Sequence, residues 1–122
     1  QLDLVPPSDP RMPEGAQALK MRPMSVNNPA YYYVYYGTLA LYQHQGPVWS
    51  EWNDRLKETL PRLQNKNGSD AGSWDKGAGH AATGGRVIST ALATLSLEVY
   101  YRLLPMYGFR NKEAAPPPKQ KL

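Results

Sequence analysis

Residues 84–102 read GGRVISTALATLSLEVYYR, and the fold turns on how this stretch is taken. Val87, Ile88, Ala91, Leu92, Leu95 and Val99 recur at helical spacing, and Leu97, Tyr100, Tyr101 and Leu104 widen the apolar surface. The segment therefore reads as a helix that begins near Thr83–Gly85 and stops at Pro105, since proline cannot continue it. A helix apolar on most of its circumference belongs inside a packed array. Ser89, Thr90, Ala93, Thr94 and Ser96 are small and let a neighbouring helix come close. After Arg86 the next charge is Glu98, with Arg102 four residues on. A buried lone carboxylate is costly, whereas an acid followed by a base one turn later forms a tolerable pair. A buried Glu98–Arg102 ion pair is expected in preference to a catalytic glutamate.

Working toward the N-terminus, PVWSEWNDRLKETLPRLQ (Pro47–Gln64) is the clearest helix. Pro47 suits a first helical position, and Trp49, Trp52, Leu56, Leu60 and Leu63 form one apolar stripe. Glu51/Arg55 and Glu58/Arg62 are spaced as ion pairs on the wet face, and Pro61 should kink or end the helix in its last turn. YYYVYYGTLALYQHQ (Tyr31–Gln45) has strand-like residue types, but its length and its run into Leu39, Ala40 and Leu41 favour a buried helix. Its tyrosines are expected as core and interface residues rather than as a sugar or nucleic-acid platform.

The remainder is organised by proline and charge. Six prolines fall in residues 1–29, which predicts an extended arm with one or two helical turns at most in EGAQALKM (Glu14–Met21). Residues 30–109 form the helical module, and 110–122 a basic, proline-rich tail expected to be disordered. The net charge is +4, yet residues 30–109 hold seven bases and six acids, while the tail alone holds four bases and one acid. With no basic stripe across the folded part, nucleic acid is not an expected partner. The chain has no cysteine, so neither a disulfide framework nor a thiolate metal site is available. The loop NKNGSDAGSWDKGAGHAATGG (Asn65–Gly85) fails as a calcium loop, because counting from Asn65 puts Lys76 where a bidentate glutamate is required. His80 has no partner at metal-ligand spacing. No catalytic, cofactor or metal residues are assigned, and no segment has the roughly 20 apolar residues of a membrane span. The chain opens on Gln1 rather than Met, which reads as a processed product or a piece of something longer.

Taken together, the helix ending in Gln64 with QNKNG after it, the GSW at Gly72–Trp74, and GGRVISTALATLSLEVYYRLLP resemble one family. The chain is similar, over about residues 29–107, to the C-terminal repeat of squalene-cyclase/prenyltransferase-like α/α toroids, and to large bacterial proteins carrying such repeats. The resemblance implies an all-α fold of antiparallel helices. It implies that Gln64, Gly68 and Trp74 brace helix ends through hydrogen bonds and stacking, with Gly85 and Arg86 in the same repeat motif. Here SDA and a second glycine intervene before Trp74. The family's chemistry does not carry over: no two aspartates stand two apart, and no cysteine exists to hold zinc or form a thioester.

Three mostly apolar helices are too few to cover one another, since repeat folds need about three or more units. The expected function is therefore a non-catalytic packing module. It would dock with other protein chains, with preceding repeats or with a second copy. Tyr32, Tyr33, Tyr36, Trp49, Trp52, Leu92, Tyr100 and Tyr101 are the expected anchors. The alternative is the C-terminal part of an enzyme or binding protein for an isoprenoid or carbohydrate, with the tyrosines lining a cavity.

Overall fold

The stripe of Pro47–Gln64 does fold as a helix. The computed structural model describes residues 9–102, and over them the chain is all-helical: α1 (Arg11–Met21), α2 (Tyr31–His44), α3 (Gly46–Leu63) and α4 (His80–Arg102). The tail 110–122, the helix stop placed at Pro105 and the side chain of Arg102 lie outside the described residues. The Glu98–Arg102 pair therefore lies outside them too; Glu98 itself is half-buried.

In α3, Trp49, Trp52, Leu56 and Leu60 are buried, as their spacing requires. Glu51 and Arg55 pair at 3.0 Å and Glu58 and Arg62 at 3.6 Å on the wet side. Pro61 falls in the last turn, and the helix ends two residues later at Leu63. The ambiguous tyrosine segment is helical, and it is the hub: α1, α3 and α4 all pack on α2. A tight turn links α2 to α3, where Gln45 takes φ 62° and ψ −166° and its N–H closes on the Leu41 carbonyl at 2.8 Å.

Contacts along α2 give the directions of its neighbours. Tyr42 meets Trp49 at 5.2 Å between ring centroids, and the Trp52 indole N–H donates to Thr38 Oγ1 at 2.9 Å, so α3 runs antiparallel to α2. Tyr32 meets His80 at 5.4 Å, while Tyr42 shares a cluster with Val99, so α4 runs in the same direction as α2. Two clusters make the core. Tyr31, Val34, Leu56, Leu60, Trp74, Ala81 and Ala93 fill one end. Ala16, Leu41, Tyr42, Trp49, Trp52 and Val99 fill the other, and Tyr33 touches both.

Two expectations are corrected. Residues 11–21 are not an extended arm but three turns of helix, because Pro10 and Pro13 sit at its start, where a missing N–H costs no hydrogen bond. Asp9 there accepts the Arg11 N–H at 2.8 Å and pairs with its guanidinium at 2.7 Å, which holds the Asp9 carboxyl down at about 2. Second, the apolar stripe of α4 does not face the core as a unit. Val87 is 78% exposed and Ile88 42%, while Ser89, Ala93 and Ser96 are fully buried. A short helical segment from His80 precedes the long helix, and Gly85 separates the two with φ 62° and ψ −153°, a conformation essentially restricted to glycine, so the long helix begins where the sequence placed it.

Candidate interaction face

The loop between α3 and α4 fixes how α4 is presented. Asn65 N–H donates to the Ser73 carbonyl and Gly72 N–H to the Asn65 carbonyl, both at 2.8 Å, closing a turn in which Gly68 and Gly72 have positive φ. The turn folds Trp74 back under α3, where its indole N–H donates to the Leu60 carbonyl at 2.8 Å. Gln64 Nε2 donates to the Gly72 carbonyl at 2.9 Å. Gln64 and Trp74 thus tie the open end of α3, while Gly68 supplies turn geometry, its carbonyl accepting the Ala71 N–H at 3.3 Å.

Side chains of α4 then take up the loop's backbone. Trp74 N–H donates to Thr90 Oγ1 at 3.0 Å and Gly77 N–H to Ser89 Oγ at 3.2 Å. Sequence reasoning took these two residues as spacers and missed their role as acceptors. A Cβ on Gly77 would run into the Pro29 carbonyl oxygen and the Tyr31 ring, so glycine is what lets the loop lie on α2. Arg86 clasps the outside, reaching Asp70 at 2.5 Å and Asp75 at 2.7 Å. Asn65 and Arg86, both hydrogen-bonded to Asp75, hold its carboxyl below the usual range.

With Thr90 and Arg86 turned to the loop, the opposite flank of α4 carries Ile88 and Leu95, and Val87 and Ala91 point outward beside them. On α2, which packs against α4, Tyr32 is 45% and Tyr36 51% exposed and Ala40 is also exposed. Tyr36 lies 4.6 Å from Tyr32, and Tyr32 lies 5.4 Å from His80. Ile88 folds over Gly84, one turn on from His80, into space a Cβ would occupy. Tyr32, Tyr36 and Ala40 on α2 and Val87, Ile88 and Ala91 on α4 are all exposed, and none of the six is charged. A hydrogen bond with Tyr36 raises the pKa of Tyr32.

The expected anchors separate into two groups. Trp49 and Trp52 are core residues at 6% and 7% exposure, and Tyr33 and Leu92 are half-buried against the core, so these four brace the module from within. Tyr32, Tyr36, Tyr100 and Tyr101 remain on the surface. Tyr100 and Tyr101 stack edge-on at 5.3 Å, with the Lys57 ammonium 5.2 Å over Tyr100.

Tyr31 is 2% exposed inside the core, where burial and then the Asp75 charge push its hydroxyl up to about 12. A shallow depression opens between α1 and α3, lined by Lys20, Pro23, Val48, Glu51, Trp52 and Arg55. Among the described residues no group of three or more His, Asp or Glu could hold a metal ion. No helix among them is long and apolar enough to cross a membrane. No protein-family model matches the chain, and neither does any curated protein or solved structure.

Proposed function

We propose that this chain is a helical packing module whose α2/α4 face docks against another layer of helices, belonging to a partner chain, to preceding repeats or to a second copy. The observation that carries this reading is the uncharged face itself. Val87, Ile88, Tyr32 and Tyr36 are large and exposed on two helices that pack together, and large exposed apolar surfaces mark interaction sites. Two features support the α/α-repeat reading alongside it. Helices two apart, α2 and α4, run the same way with α3 antiparallel between them in sequence, as stacked helix pairs do. The Gln64 and Trp74 hydrogen bonds brace the end of α3 in the manner the resemblance implies.

The chemistry of the face suits a packing role. Its tyrosines offer large rigid surfaces with a polar tip, and its aliphatic side chains need cover from water. Oxidative footprinting tests the reading. In the assembled state Tyr32 and Tyr36 should lose reactivity, while Met21, 85% exposed on α1, keeps it as an internal reference. Equal reactivity of both tyrosines in dilute and concentrated samples, and with the rest of any longer protein attached, would remove the basis for the proposal.

A further inference from the structure

The attachment of α1 is thin on its own side and well shaped on the other. Of its eleven residues only Ala16 is buried, and Met12 and Leu19 are half-buried. Gly15 and Pro13 are weak helix formers, and a helix this short has little stability alone. The seat is what makes it helical. Gly37 of α2 leaves bare backbone there, and a Cβ at that position would lie 3.4 Å from Leu19 Cδ2 and 3.2 Å from the Trp52 ring. Ala16 packs in the cluster of Leu41, Trp49 and Trp52. At the rim, Lys20 pairs with Glu51 at 3.0 Å, and the Tyr33 hydroxyl donates to the Arg22 carbonyl at 2.7 Å.

Behind α1 comes a non-helical tether, residues 22–30, pinned at its far end where the Pro29 carbonyl accepts the Ala78 N–H at 3.0 Å. Such a tether extends to roughly 30 Å, about twice the length of α1, so it can reach a neighbouring molecule.

We propose that α1 is an exchangeable arm, which leaves its own seat and occupies the same seat, between Gly37 and Trp52, on a second copy of this chain. On that second copy α1 packs against the same side chains that it leaves behind on the first. Exchange therefore costs association entropy but no packing, the usual condition for swapping an element between protomers. The tether gives α1 an effective concentration in the millimolar range at its own seat, so exchange competes when copies are concentrated or already held together. The surface involved is a different side of α2 from the Tyr32/Tyr36 face.

The Lys20–Glu51 pair supplies the test, because a carbodiimide joins an amine and a carboxylate at salt-bridge distance without altering the sequence. Isotopically heavy and light chains are mixed at about 1 mM, equilibrated, cross-linked and digested. Both carry Val87→Lys, so that pairing through the α2/α4 face makes no contribution. In an equal mix about half of the seats hold another copy's α1, and half of those pair heavy with light, so exchange yields a Lys20–Glu51 cross-linked peptide that is mixed in about a quarter of the total. If this peptide is found only as all-heavy and all-light species, α1 stays at home and the proposal is wrong. Failure of the Lys20–Glu51 link to form in any combination would overturn it as well, because the seat would not be where α1 resides.

Discussion

Changing Val87 to Lys separates what the face does in the isolated module from what it does in an assembly. Val87 is 78% exposed and lies on α4 past the Gly85 break, so in a lone chain the new side chain simply enters water. Such surface substitutions alter folding stability by about 0.5 kcal/mol or less, and lysine is the better helix former of the two. Under a docked layer the outcome differs. Covering the exposed part of a valine contributes roughly 1.5 kcal/mol, and pressing an unpaired ammonium against an apolar partner adds roughly 2 kcal/mol more. Together these predict an association constant lowered about 300-fold, with a melting curve in dilute solution that hardly moves. Sedimentation equilibrium reads the first quantity and circular dichroism the second. Unchanged association would show that Val87 is not part of an interface. A loss of more than about 2 kcal/mol in the dilute melt would show that Val87 belongs to the module's own core.

Trp74→Phe removes the indole N–H that reaches the Leu60 carbonyl at 2.8 Å and leaves a small void. It should cost about 2 kcal/mol, seen as a urea midpoint lowered by about 1.5 M with an unchanged slope. Gly77→Ala would place a methyl 2.7 Å from Tyr31 Cδ2 as well as against the Pro29 carbonyl, so a loss of about 3 kcal/mol or an unfolded chain is expected in the same assay. Gln45→Gly should stabilise by about 1 kcal/mol, because φ 62° with ψ −166° is a glycine conformation held here by glutamine; no rise in melting temperature would contradict this. At alkaline pH the buried Tyr31 hydroxyl, at about 12, stays protonated where an unfolded tyrosine ionises near its ordinary value of 10.0. Its contribution is complete below pH 10 and fades as pH rises toward 12, so stability should fall over that window. Tyr31→Phe should flatten that fall.

How far the sequence could be read depends on which force set each element. The stripe of α3 was legible because Trp49, Trp52, Leu56 and Leu60 are both the most apolar and the most buried residues of their helix. In α4 those two properties part company. Ser89, Ala93 and Ser96 are buried because helices approach closely over small side chains and because the Ser89 hydroxyl receives the Gly77 N–H. Val87 and Ile88, more hydrophobic, are left outside while Val99 and Leu92 of the same stripe turn inward, so hydropathy alone oriented the helix only in part. For α1, proline content suggested extension, whereas position within the first turn made Pro10 and Pro13 compatible with helix. The Gln64 and Trp74 hydrogen bonds leave no mark in hydrophobic periodicity, so only the family resemblance directed attention to those two residues. Of the expected anchors, exposure could not be told from residue type, since the same tryptophans and tyrosines serve equally as core.

Static light scattering across a dilution series tests the central claim most directly, because a face built of Tyr32, Tyr36, Val87 and Ile88 either recruits a cover or does not. The mass of the native species should exceed that of one 13.7 kDa chain and fall toward it on dilution, with the melting temperature falling in parallel. A single-chain mass at every concentration, with a sharp melt independent of dilution, would mean that these four helices need no companion.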